Sequence, residues 1–120
     1  MFVKVPVNDD PDAPLHQREV QLDEILHAAH IGNVIGWGDS LGEGMFHRAR
    51  RVAFTRIDLE VLETEAALTV LHAGLVRIGT PPGTEIHYTL GGRDLMDVYG
   101  AAGWLQGQPV PQAAGPRVRR

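Results

Sequence analysis

Hydrophobic and polar residues along the chain follow two different periods, and the switches between them predict four strands and two helices. Alternation is clearest over residues 51–61 and 84–90, and it is typical of strands with one covered face. In two other segments apolar residues recur at helical spacing, and each segment is followed by a glycine, Gly32 or Gly79. Pro6 favours an edge position for the first strand. The predicted elements are strand 2–7, helix 18–31, strand 33–38, strand 51–61, helix 63–78 and strand 84–90.

This succession of strand, helix, strand, strand, helix and strand predicts an α+β fold. Two split βαβ units of this kind form the ferredoxin-like plait, a four-stranded antiparallel sheet with both helices on one face. Residues 1–100 are enough for one such domain. Asp94 is placed to cap a short helical turn through Asp97. Glycine, proline, glutamine and alanine dominate residues 101–120, which predicts a loosely ordered tail.

The alternation over 51–61 also assigns the side chains of that strand to two faces. Ile57 and Leu59 are expected to face the helices, so the charged residues between them face away. Such an open face is ordinarily a wet surface, but here it mixes aromatic and charged side chains, which also suits a protein partner or a ligand. The candidate residues of the open face are Phe54, Arg56, Asp58, Glu60, Glu85 and His87.

Residues 36–44 form a glycine-rich segment whose G-x-G-x-x-x-G spacing is similar to a dinucleotide-binding turn. Gly42 and Gly44 weaken the helix that such a turn needs, and 120 residues are too few for a doubly wound sheet. The alternative is a plain connection between two strands. Trp37 is either an anchor for a partner or a core-filling side chain. The candidate residues of this segment are Trp37, Asp39, Ser40 and Glu43.

Asp23, His27 and His30 follow one another at four- and three-residue spacing in the first predicted helix. This spacing puts a carboxylate and two imidazoles on one flank, and three such ligands can hold zinc with an open fourth position. A solvated flank is the alternative, because the helix dipole also favours a histidine near a helix C-terminus.

Composition and charge narrow the functional classes. The chain has 120 residues, is 43% hydrophobic and carries a formal net charge of −4. Three of its 11 cationic residues lie in the last four positions, so the remainder is more acidic still, which argues against nucleic acid as a partner. The absence of cysteine excludes disulfides and thiol catalysis. The sequence shows no membrane-spanning segment and no signal peptide, so no membrane association and a cytoplasmic location are expected.

Three segments carry a resemblance to known proteins, namely residues 34–44, 58–60 and 75–86. In their glycine turns and helix ends, the chain resembles small bacterial ferredoxin-like proteins of uncharacterised function, some of which are immunity proteins encoded beside toxin genes. The resemblance implies the plait fold and an immunity-type role. It carries over no catalytic residue.

The leading prediction for function is a non-enzymatic interaction or regulatory module that binds a basic protein partner or a second copy of itself. Two alternatives stay open. One is a small-molecule or metal-binding domain that uses the flank of Asp23 or the open face. The other is a small dimeric enzyme with its site on the open face and the 36–44 segment. No cofactor is predicted, because the sequence shows no complete metal motif and no nucleophile–base pair.

Overall fold

The computed structural model describes residues 1–6, 17–41 and 52–110. The elements in these ranges are β1 (Phe2–Pro6), α1 (Gln17–Ala28), β2 (Gly32–Leu41), β3 (Val52–Val61), α2 (Thr64–Arg77), β4 (Glu85–Leu90), β5 (Arg93–Gly100) and β6 (Gly103–Pro109). The strands form one antiparallel sheet of six strands in the order β2-β3-β1-β4-β5-β6. Both helices pack on the same face of this sheet.

The α+β class is confirmed, but the plain four-stranded plait is wrong. The first six elements follow the predicted succession, yet β5 and β6 extend the sheet beyond β4. Asp94 and Asp97 lie in β5 and not in a helical turn. Residues 103–109, which the sequence placed in a loose tail, form the edge strand β6, and residues 111–120 lie outside the described ranges.

Two tight turns explain why the chain continues as strands after β4. Gly91 and Gly92, with φ of 61° and 78°, connect Leu90 to Arg93, which are paired across the ladder. Positive φ at both central positions is the type I′ geometry, whose twist matches a β-hairpin and which glycine adopts without steric cost. A second two-residue turn leads into β6, where Gly103 has a φ of 114°. The strands β4, β5 and β6 therefore form a meander that widens the sheet on one side.

The hydrophobic core lies between the helices and one face of β1, β3 and β4. Ile57 and Leu59 are 1% and 4% exposed, which confirms the two-faced assignment of the longest alternating segment. The buried core side chains are Val3, Val5, Leu22, Leu26, Ile57, Leu59, Leu71, Leu75, Ile86 and Tyr88.

The edge position predicted from Pro6 is wrong, because β1 lies inside the sheet between β3 and β4. Pairing with β4 covers only Phe2 to Lys4. Pro6 lies beyond that ladder and pairs on one side only, opposite Phe54 of β3. Proline has no amide hydrogen to donate. Because the β1–β4 ladder has already ended at Lys4, no hydrogen bond to β4 is lost at Pro6, and the proline is tolerated there.

Both helices begin and end close to their predicted boundaries. Glu63 caps α2 by accepting hydrogen bonds from the amides of Glu65 and Ala66 at 3.3 and 2.8 Å. At the end of α1, His30 has a left-handed backbone with φ of 58°. Neither described helix is long and apolar enough to cross a membrane.

Candidate functional site

The residues predicted for the open face lie on the side of the sheet opposite the helices. They are Phe54, Arg56, Asp58, Glu60, Glu85 and His87. Strand β1 runs through the middle of this face and adds Phe2 and Lys4, which the sequence analysis did not include. Lys4 lies directly opposite Arg56. Glu60 is exposed and lies opposite Asn33 of β2, towards the end of β3.

One row of contacts crosses the open face through Phe2. The guanidinium carbon of Arg56 lies 3.8 Å from the centroid of the Phe2 ring, a cation–π distance. Arg56 Nε also donates a hydrogen bond to Asp58 Oδ1 at 2.8 Å. The Phe2 ring stacks with the His87 imidazole, with centroids 4.5 Å apart and planes at 10°. Phe2 therefore holds both a cation and an imidazole in place.

A second row runs through Lys4. Its Nζ lies 4.2 Å from the centroid of the Phe54 ring and 4.0 Å from Glu85 Oε1. The same oxygen lies 2.7 Å from His87 Nε2, which links the two rows. Because Lys4 and Arg56 are directly opposite on antiparallel strands, two like charges lie side by side, and such pairs are destabilising unless their neighbours compensate.

The glycine-rich segment is part of a strand up to Leu41 and not a phosphate-binding turn. Gly36 and Gly38 pair with Asp58 and Arg56 of β3. A dinucleotide-binding turn places its glycines between a strand and a helix, so the similarity in spacing does not extend to the structure.

Three of the four candidate residues of that segment lie in β2. Trp37 is 49% exposed, so it does not serve as a fully buried core side chain. Asp39 and Ser40 lie in the same strand, with their backbones paired to β3. Glu43 lies outside the described residues.

The structure joins two of the three candidate metal ligands. His27 Nδ1 lies 3.4 Å from Asp23 Oδ2. The other oxygen of Asp23 accepts a hydrogen bond from the Val34 amide at 2.9 Å, which ties α1 to β2. His30 lies beyond the last residue of α1 with a positive φ, so it does not continue the helical spacing. In the described ranges, no group of three or more His, Cys, Asp or Glu side chains is placed to hold a metal ion.

A groove of about 860 Å³ lies on the helix side of the sheet, between α2 and the β4–β6 meander. Its apolar walls include Leu68 and Val76 from α2 and Leu90 and Leu95 from the outer strands. His72 of α2 also lines the groove, with 17% of its side chain exposed. The groove thus combines an apolar surface with a titratable ring.

His72 is hydrogen-bonded to a carboxylate that has no exposure to solvent. Asp97 is 0% exposed, and its Oδ2 lies 2.6 Å from His72 Nε2. Its Oδ1 accepts hydrogen bonds from the Tyr88 hydroxyl at 2.7 Å and from the Gly107 amide at 2.8 Å. These partners satisfy both oxygens, as a buried ionised carboxylate requires. We refer to Asp97, His72, Tyr88 and Gly107 as the Asp97 cluster.

The environment of Tyr88 keeps its hydroxyl protonated. Burial, the hydrogen bond to Asp97 and the negative charge of Asp97 raise the pKa of Tyr88 to about 12, against a smaller lowering by the Gly107 backbone. At neutral pH the hydroxyl is therefore a hydrogen-bond donor to Asp97.

Trp104 of β6 fixes the other side of His72. Its ring centroid lies 4.9 Å from that of His72, and its Nε1 donates to the His72 carbonyl oxygen at 3.2 Å. Trp104 also contacts Tyr99 of β5, with centroids 5.0 Å apart. Strand β6 therefore supplies both an aromatic wall of the groove and one donor of the Asp97 cluster.

The Asp97 cluster was not predicted from the sequence. His72 stands beside the apolar stripe of the second predicted helix, where it resembles an ordinary core or border histidine. Asp97 was not recognised as a buried residue, because an acid at an inward position interrupts the apolar alternation that would predict β5. The useful signal was Gly91-Gly92 directly after an alternating segment, because a pair of glycines there indicates a hairpin and hence a further strand.

Comparison of the chain with protein-family models, with curated proteins and with solved structures finds no match in any of the three. The resemblance to immunity-type bacterial proteins therefore stays a prediction.

Proposed function

We propose that this protein is a non-enzymatic interaction module that binds a second copy of its own chain through the open face. The observation that carries this proposal is the pair of cations, Lys4 and Arg56, in the middle of that face. Directly opposed like charges cost stability, yet here each cation is held over an aromatic ring. Each cation also lies beside an acid of its own chain, Asp58 or Glu85, and this partly exposed row of alternating charges is suited to the opposite charges of a partner.

The same face carries the acids that a second copy offers. Asp58 and Glu85 lie beside the two cations, with 39% and 28% of their side chains exposed. In a twofold dimer a surface meets itself, so the cations of one copy face the acids of the other twice. The rings of Phe2 and Phe54 add apolar contact near the centre of the interface.

The partner is proposed to be protein and the location cytoplasmic. The net charge of −4 disfavours nucleic acid, and a chain without cysteine needs no oxidising compartment to form disulfides. A basic partner, as the immunity-type resemblance implies, would use the same acids but would leave the chain monomeric by itself. The oligomeric state of the isolated protein therefore separates the two cases.

Sedimentation velocity at micromolar concentrations tests the dimer. Phe54→Asp should shift the protein to monomer with an unchanged circular dichroism spectrum, because Phe54 lies on the open face and outside the core. Leu62→Asp is the matched control, since it adds the same charge at an 81% exposed residue just after β3 and should leave the dimer intact. A monomeric wild type throughout that range would overturn the proposal, as would a Phe54→Asp variant that dimerises like wild type.

A further inference from the structure

We propose that the groove between α2 and the β4–β6 meander binds a small, neutral aromatic compound that carries a hydroxyl group, and that His72 accepts the hydrogen bond of this hydroxyl. The groove and the open face lie on opposite sides of the sheet. The inference is therefore independent of self-association.

The Asp97 cluster decides which nitrogen of His72 carries a hydrogen. The Tyr88 hydroxyl and the Gly107 amide both donate to Asp97 Oδ1. The negative charge of Asp97 contributes to the raised pKa of Tyr88, and an ionised carboxylate has no hydrogen to donate from Oδ2, so His72 Nε2, 2.6 Å from Oδ2, is the donor. In the neutral form of the imidazole the second nitrogen, Nδ1, keeps a lone pair. Among the described residues this Nδ1 has no hydrogen-bond partner, so the neutral ring can accept a hydrogen bond from a ligand in the groove.

The charges around His72 disfavour an anion, and the apolar walls favour a neutral donor over a cationic one. Asp97 is hydrogen-bonded to the ring, and Glu65 lies on the wall of the groove. Both carboxylates repel a bound anion. A charged amine would have to lose its hydration against apolar walls. A hydroxyl group satisfies Nδ1 without bringing a charge into the groove.

The remaining walls favour an aromatic body for the ligand. Leu68, Val76 and Leu95 offer apolar contact. The Trp104 ring, which packs against His72 at 4.9 Å, offers a partner for ring–ring contact. The groove volume of about 860 Å³ lies within the usual range for small-molecule pockets, roughly 300–1,000 Å³.

Three small compounds test the proposal on the wild-type protein. p-Cresol is the probe, toluene is the matched compound without the hydroxyl, and benzoate is the anion. In an NMR titration of isotope-labelled protein, p-cresol should shift the His72 Nδ1 and Trp104 indole resonances. It should bind at least about tenfold more tightly than toluene, and benzoate should bind more weakly than p-cresol.

A pair of variants tests the role of His72. His72→Phe keeps an aromatic ring but removes both ring nitrogens, and it should reduce the affinity for p-cresol to that for toluene. His27→Phe on α1 is the matched control and should bind p-cresol like wild type, because His27 lies outside the groove.

Four outcomes would overturn the proposal. They are no binding of p-cresol at millimolar concentration, equal binding of p-cresol and toluene, tighter binding of benzoate, and an unchanged affinity for p-cresol in His72→Phe. The first three use the wild-type protein, so the test stands even where His72→Phe fails to fold.

Discussion

Asp97 shows how one inward-facing acid is accommodated in a β-strand. Its three hydrogen-bond donors come from α2, β4 and β6. The cost of burying the charge is therefore offset only when all three elements are in place around β5. The same hydrogen bonds orient His72 towards the groove. A change in any member of the Asp97 cluster should consequently alter both stability and ligand binding.

Tyr88 should make the protein less stable at high pH. Its pKa is raised from 10 to about 12 in the folded protein, so between these values the folded state keeps a proton that the unfolded chain has released. The free energy of unfolding should then decrease above pH 10, by up to about 1.4 kcal/mol per pH unit. This contribution should level off near pH 12.

Urea unfolding of wild type and Tyr88→Phe at about pH 8 and about pH 11 measures this effect. At the lower pH the variant should be less stable, because Asp97 loses a donor. At the higher pH the two free energies of unfolding should lie closer together. Only wild type carries the titrating hydroxyl, so only wild type loses this part of its stability. A difference that is equally large at both values would contradict the prediction.

At the scale of the elements, the stability of the β4–β5 hairpin depends on the glycines of its turn. Gly91 has a φ of 61°, and no atom lies within 4 Å of the position a Cβ would take, so a substitution there meets backbone strain alone. Gly91→Ala should lower the free energy of unfolding by about 1 kcal/mol. Gly91→Asn should cost much less, because type I′ turns accept asparagine at this position. Thermal unfolding compares the two variants, and equal stabilities would argue against the assigned turn.

The two strands that the sequence predicted most clearly, β3 and β4, share one property, a single buried face. In β3 and β4, residues such as Ile57 and Ile86 are buried on one side while their neighbours face the other, and this produces visible alternation. Strand β5 lacks it, because Asp97 is an acid at an inward position. The two extra strands, and with them the six-stranded sheet, were therefore not predictable from periodicity.

The open face could be predicted from the sequence, whereas the Asp97 cluster could not. The open-face residues follow from the alternation of β3 and β4, so the sequence was sufficient to place Arg56 and His87 on one surface. The contact between His72 and Asp97 joins positions 25 residues apart and exists only if β5 packs beside α2. Because β5 was not predicted, these two residues were not expected to meet.

In the whole molecule, one sheet separates two surfaces of different chemistry. On one side, charged groups and aromatic rings form the exposed rows through Phe2 and Lys4. On the other side, the Asp97 cluster is buried under an apolar groove. The two surfaces approach each other along β4, where His87 faces one side and its neighbour Tyr88 the other. These two hydrogen bonds have no partner in common, so neither of them joins the two sites.

This separation predicts that self-association and ligand binding are independent. Sites without shared contacts usually have additive effects, so Phe54→Asp should bind p-cresol within about twofold of wild type even as a monomer. His72→Phe should sediment like wild type, and the double variant should show both defects at their single-variant size. Titration of p-cresol into Phe54→Asp, together with sedimentation of wild type with and without p-cresol, measures the coupling. Dissociation of the dimer on adding p-cresol, or loss of p-cresol binding in Phe54→Asp, would show that the sheet transmits a structural change from one face to the other.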